Sequence, residues 1–455
     1  MSVRGFKDSI EHLMAEIGRM DLRIRIQVLR WREMIGQTAD DEFRGLYISE
    51  QEMDSLLATG PIPGPRETSP SHSETALGQS LQKLEAEIAE RKAQSLREGI
   101  PLRLVHLATE FGLSDFEVDA LLLCLLPEIS VRYERLYGYL HDDVTRKRSS
   151  IHLILECTAD RFEDRIKFRE SFLPHAPLFA HHLLSFDDES RSGTTPLPAR
   201  ALKIDDRIAS YLFGSDAPDP HLAGARLIHP TTSLETLILA EDTRSALDRI
   251  GWTLRQEPNL VLYLQGPMGA GKKAAAEALC RLLGWSLFLV DAPALSTDDL
   301  PIESLVTLAF REARLQRAAL CWDRFDSLLN NERAVYAITS QAIAFPRPVF
   351  LLGQVPWQAG DAFSGKGLLR LEMGAPPYAV RHRLWETHLD GSGNGISPLD
   401  MDEIADKFRF TPGAIRAAAA AARDLARGRG ESSITAADLY AACRLTSNHK
   451  LSQLA

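Results

Sequence analysis

The sequence predicts an α/β protein built on a parallel sheet with a helical lid, preceded by a mainly helical N-terminal region. Three observations carry that reading. From about residue 228, short apolar runs alternate with helix-length stretches, the pattern of a parallel sheet. After about residue 375 the text is helical to the end. Ahead of 228, helical periodicities dominate and are closed by one pair of short strand-like runs. A chain of 455 residues exceeds one ordinary core, and changes in texture divide it into 1–75, 76–215, 216–375 and 376–455.

In chain order, Ile10, Ile17, Ile24 and Trp31 recur every seven residues, with Leu13 and Met20 between them. This is a helical stripe that either packs on its own protein or serves as a short coiled coil. Residues 60–74 carry four prolines and no apolar periodicity and read as a linker. Leu77, Leu81, Leu84 and Ile88 mark the next helix. Ser114 and Glu117 form a capping-box pattern that starts a helix at Ser114. Its run Leu121–Leu126 is apolar all round and therefore buried. A helix over Val131–His141 follows, then the basic cluster Arg146, Lys147 and Arg148.

LLSF (183–186) and ALKI (201–204) read as two short strands joined by the polar segment DDESRSGTTPLPAR. Helices followed by such a hairpin suggest a winged helix. A wing that reads DNA is usually basic, because phosphate contacts dominate affinity. This one opens on Asp187, Asp188 and Glu189, which favours a protein-docking or spacer role. In the second half NLVLYLQ (259–265), SLFLVD (286–291), RAALCWD (317–323) and RPVFLLGQ (347–354) read as strands. In the tail, Thr411–Arg423 is an Ala-rich helix, and Thr435 with Asp438 opens a last capped helix.

Composition excludes several classes. A net charge of −10 and a pI near 5.8 disfavour nucleic-acid binding through overall charge. The five cysteines are scattered, without a CxxC pair, which fits reduced buried thiols in the cytoplasm rather than a disulfide frame or a zinc site. No uninterrupted apolar run reaches 18 residues, and the N-terminus lacks the apolar core of a signal peptide, so no membrane insertion is expected. The histidines, including His181 and His182, show no ligand spacing.

The chemistry concentrates where strand VLYLQ runs into GPMGAGKK and then a helix. A glycine-rich turn between a buried strand and a helix aims backbone N–H groups inward, and the helix N-terminus adds partial positive charge, so phosphate oxygens are cradled there. The candidate binding residues are Gly266, Pro267, Met268, Gly269, Ala270, Gly271, Lys272 and Lys273, with Lys272 reaching the β and γ phosphates. The position after Lys272 ordinarily carries Ser or Thr, whose hydroxyl ligates Mg²⁺. Here it is Lys273, which has no acceptor atom and repels a cation. Unit charges about 4 Å apart interact by roughly 4 kcal/mol at an effective dielectric near 20. Asp323 ends its strand where a Walker B carboxylate would hold the metal, but the next position, where a glutamate would orient water, is Arg324. Losing a positioned base costs about 10²–10⁴-fold in rate. Asp326 reads as structural. Gln354 stands at the end of the fourth strand as a sensor-like residue, and Arg416 in the tail is placed to touch a γ-phosphate. No arginine finger is evident: Arg370 follows the loop FSGKGLL without supporting neighbours.

These motifs, in this order, resemble AAA+ ATPases over roughly 228–455. The resemblance implies a five-stranded parallel sheet, a helical lid, nucleotide at the sheet's C-terminal edge, and ring oligomers. Upstream, FRGLYISEQEMDSLL, FGLSDFEVDALLLCLLPE, RYERLYGYLHDDVTRKRSS and KIDDRIASYL resemble the N-terminal part of a bacterial AAA family. That family has a variant winged helix and accompanies phage-tail-like contractile injection systems. It implies tandem proteins with a degenerate first module and an intact second. This chain corresponds to everything up to the end of the first, which stops at SNHKLSQLA.

The function expected is an ATP- or ADP-binding, weakly or non-hydrolysing module of a homo- or hetero-oligomeric remodelling ring, with Mg²⁺ doubtful. The alternatives are an active ATPase, a winged-helix nucleic-acid binder resembling replication initiators, and a scaffold that has lost nucleotide.

Overall fold

The computed structural model describes residues 4–35, 71–187, 195–295, 300–358, 363, 367–389 and 396–452. The segments FRGLYISEQEMDSLL, most of the 60–74 linker, the tip of the 187–200 hairpin segment and the final three residues lie outside the described residues. The chain forms two compact units, Met1–Ala217 and Pro218–Ala455.

In the first unit α1 (Ser9–Ile35) lies against α2 (His72–Arg97). Leu13, Ile17, Met20 and Ile24 of the heptad stripe are buried within the unit, while Ile10 stands 42% exposed at the helix start. The stripe is thus a core face. Its polar flank is tied by Arg23 to Glu85 at 2.7 Å and by Arg30 to Glu74 at 2.7 Å. The linker ends earlier than the sequence suggests. The Ser71 hydroxyl accepts from the Glu74 N–H, and α2 begins at His72. A short helix α3 (Arg103–Phe111) precedes α4 (Asp115–Ile129), which starts with the full Ser114–Glu117 capping box. All of Leu121–Leu126 is buried. Each such leucine contributes roughly 1.5–3 kcal/mol relative to exposure.

Next come α5 (Val131–Leu140), α6 (Ile151–Thr158), α7 (Phe162–Phe168) and the single turn α8 (Pro177–Ala180). The hairpin of β1 (Leu184–Phe186) and β2 (Leu202–Ile204) pairs antiparallel, Leu184 opposite Ile204, and α9 (Asp206–Leu212) closes the unit. The basic cluster is neutralised locally. Arg146 faces Asp143, Lys147 faces Glu134, and Arg148 faces Glu128 at 3.2 Å.

The second unit opens with β3 (Arg226–Ile228) and α10 (Glu241–Gln256). Then β4 (Val261–Gln265), α11 (Lys272–Leu283), β5 (Ser286–Asp291), α12 (Ile302–Leu315), β6 (Ala318–Asp323), α13 (Glu332–Ala344), β7 (Val349–Gly353) and β8 (Leu368–Glu372) follow. The strand order is β3-β5-β6-β7-β4-β8. Five strands are parallel, and β3 adds an antiparallel edge on β5. The sheet is therefore six-stranded and mixed rather than five-stranded and parallel. Leu368 and Leu369, read as part of a loop, lie in edge strand β8.

The four inner strands read as continuous apolar runs because both faces are covered. Tyr263, Phe288, Leu320 and Trp322 pack on one side with residues of α12 and α13. Leu262, Leu264, Leu289 and Cys321 pack on the other with residues of α10 and α11. The entry segment is pinned by a buried ion pair, Arg311 of α12 to Asp219 at 2.6 Å. The lid is α14 (Tyr378–Leu389), α15 (Pro398–Lys407), α16 (Pro412–Gly428) and α17 (Ala436–Ser452), around a core of Trp385, Ile404, Ile415 and Leu439. The Thr435–Asp438 cap forms as read from the sequence. No described helix is long and apolar enough to cross a membrane.

Candidate functional site

The chain leaves β4 at Gly266, wraps through Gly271 and enters α11 at Lys272. Glycine is required at the first position. Its φ is +157°, and a Cβ there would stand 2.1 Å from the Met373 carbonyl oxygen. No side chain caps α11, so its first N–H groups are left to the loop and whatever it holds. The loop opens into a cleft of about 720 Å³. Apart from Gly266 and Pro267 at its base, every binding residue read from the sequence lines this cleft, together with Asp323, Gln354 and Arg416. Arg370 lies on β8, outside it.

Two adjacent lysines at the first turn of α11 project differently. Lys272 folds back on its own loop, donating to the carbonyl oxygens of Gly266 and, at 3.1 Å, Pro267. Burial lowers its pKa, while Asp326 and Asp323 act to raise it. Lys273 reaches across to β6, with its Nζ 2.7 Å from Asp323 Oδ2. The other oxygen of Asp323 accepts the Arg324 N–H at 3.1 Å. Arg324 sits in the left-handed region at φ 55°, which aims its guanidinium at Asp291. Nε bonds Oδ1 at 2.9 Å, and Nη2 bonds Oδ2. Asp291 and Asp323 end neighbouring strands and are register partners. Asp326 is structural, as read: its carboxylate accepts the N–H groups of Gln354 at 2.8 Å and Val355 at 3.1 Å, fixing the turn after β7.

Sequence reading missed three features. Asp291 is one; an acidic residue closing SLFLVD was its signal. The second is the segment Leu237–Leu239, which forms an apolar wall of the cleft with Leu352 and Leu384. Arg244 holds it by donating to the carbonyls of Leu234, at 2.9 Å, and Leu237. The third is a staple between loop and lid. Gly413 N–H donates to Gly269 O at 2.8 Å, and the Thr411 hydroxyl donates to Met268 O at 3.1 Å. A Cβ on Gly269 would lie 2.8 Å from Thr411 Oγ1, on a backbone with φ +79°. Gly269→Ala is expected to loosen the lid and weaken ligand binding at least about tenfold, roughly 1.4 kcal/mol. Hydrogen exchange at the start of α16, read beside a binding titration, checks this; unchanged exchange would show that the staple holds nothing.

Residues 1–225 match the family model of the variant winged helix domain. Residues 378–449 match that of the contractile injection system ATPase helical domain. The chain carries both domains. The second match covers the lid, and between the two matches the mostly parallel sheet, with its glycine loop running from β4 into α11, has the arrangement of a P-loop fold. No curated protein matches the chain. Among solved structures, one from work on the structural basis for katanin self-assembly is 20% identical with a TM-score of 0.41, covering 51% of this chain and 93% of that one. The FIGL-1 AAA domain is 18% identical with a TM-score of 0.41, covering 53% and 89%. The same domain in complex with ADP is 19% identical with a TM-score of 0.41, covering 49% and 86%.

Proposed function

We propose that this winged-helix, P-loop chain binds ATP or ADP with little turnover and serves as a degenerate module in a ring-forming remodelling ATPase of a contractile injection system. The observation that carries the reading is the arrangement around α11. A glycine loop, an uncapped helix N-terminus and Lys272 face one cleft, while Lys273 and Arg324 stand where a metal-binding hydroxyl and a water-orienting glutamate would be needed. The nucleotide's phosphates would lie along Gly269–Lys273, and its base against the apolar wall of Ile238, Leu239 and Leu384. Arg416, exposed on the second turn of α16, makes no ion pair with a described residue and faces the same space. The ring and the injection-system setting rest on the family resemblance and on the helical-domain match at 378–449. The five buried free cysteines fit the reducing cytoplasm. A nucleic-acid role is disfavoured, because Arg146, Lys147 and Arg148 each face a carboxylate.

The test pairs a titration with a fluorescent ATP analogue and a steady-state phosphate-release assay on the full chain. Binding with turnover far below about 1 s⁻¹, the low end of typical enzymes, is expected. Turnover near that value would refute the non-hydrolysing reading, and absence of binding would refute the site.

A further inference from the structure

Asp323 and Asp326, which line the phosphate side of the cleft, and Asp291 beside them are already engaged. Asp323 takes the Lys273 ammonium at 2.7 Å and the Arg324 N–H at 3.1 Å. Asp291, its register partner at the C-terminal end of β5, takes Nε and Nη2 of Arg324. Asp326 takes the backbone N–H groups of Gln354 and Val355. The Mg²⁺ that the fold resemblance implies therefore does not fit. The hydroxyl that would ligate it is replaced by a cation, and that cation sits on the carboxylate that would share the work.

We infer that the Lys273 ammonium, held by Asp323, is a built-in counter-ion that replaces the divalent metal, so that the cleft takes metal-free nucleotide. The inference rests on nucleotide binding at this cleft and adds which form of nucleotide is recognised. Polyphosphate needs positive charge around it, and the chain supplies it without a metal. Lys272 and Lys273 bring two ammonium groups to the same helix turn, and the open N-terminus of α11 adds to them. A lysine paired with one carboxylate oxygen keeps two of its three donors for phosphate oxygens. A divalent ion would first have to displace this ammonium and then remain beside it. Chelating the metal should therefore cost the complex little, and returning a hydroxyl at 273 should create a metal requirement.

The experiment titrates the full chain with a fluorescent ATP analogue in Mg²⁺ and in EDTA, at fixed ionic strength because these contacts are screened by salt. The parent is expected to bind within about threefold in the two media, whereas Lys273→Thr should lose about tenfold or more in EDTA. Asp323→Asn, which removes a competing negative charge and frees Lys273, should tighten binding about threefold in both media. In a metal-using site the same change weakens binding in Mg²⁺ alone. A parent that loses about tenfold in EDTA, or an Asp323→Asn variant weakened only in Mg²⁺, overturns the inference and leaves the nucleotide site standing. A parent that binds in neither medium overturns both.

Discussion

Nucleotide binding is expected to fall by at least about a hundredfold on Lys272→Ala, since two charge-assisted hydrogen bonds of roughly 1.5–3 kcal/mol each leave with the ammonium. Lys272 stands at the first turn of α11, and its Nζ already rests on the carbonyl oxygens of Gly266 and Pro267 at the base of the loop. Phosphate oxygens entering the loop come within reach of the same ammonium. The alanine variant should keep the fold, because Lys272 is only half-buried and its hydrogen bonds go to carbonyl oxygens of its own loop. The measurement is the fluorescent-analogue titration, with a thermal melt beside it. Undiminished affinity in a folded variant would move the nucleotide away from this loop.

The second large effect is a gain. Lys273→Thr and Arg324→Glu together are expected to raise Mg²⁺-dependent phosphate release at least about tenfold above the parent, since a positioned base alone contributes about 10²–10⁴-fold. Either change alone should stay within about threefold of the parent, because metal and water positioning act as a unit. Threonine alone frees Asp323 but leaves a guanidinium where water must be oriented. Glutamate alone leaves Lys273 on Asp323. The check is steady-state phosphate release from the parent, both single variants and the double. A single variant as fast as the double would show that one of the two cations has no part in silencing the site.

The parts of this protein legible in the sequence are those whose physics is local. Val261–Gln265, Ser286–Asp291, Ala318–Asp323 and Val349–Gly353 read as strands because burial on both faces makes them continuously apolar. The edge strands do not: β3 and β8 include the exposed Arg226 and Arg370 and show mixed burial. The Ser114 and Thr435 caps are visible because two residues three positions apart define each. The same division holds in the site. A glycine turn followed by lysine announces itself, and the substitutions at 273 and 324 were plain once the turn was placed. Asp291 was not, because its part depends on the register of β5 against β6. Nor was the staple from Thr411 to Met268, which spans 143 positions of sequence. From the sequence Lys273 repels a metal and can add positive charge for phosphate, but its partner is not legible there. The ion pair with Asp323 depends on how the first turn of α11 faces the end of β6 across the cleft.

The two interlocked pairs, Lys273 with Asp323 and Arg324 with Asp291, also bear on how the site could change. Changing 273 alone strips Asp323 of its ammonium with no glutamate to use the metal. Changing 324 alone sets a new carboxylate beside Asp291 and Asp323, in a left-handed backbone that already disfavours it. Each single exchange gives up charge balance without supplying the other half of a hydrolytic site. The two pairs therefore act as a two-key lock: metal-dependent hydrolysis at this cleft would need both cations exchanged together.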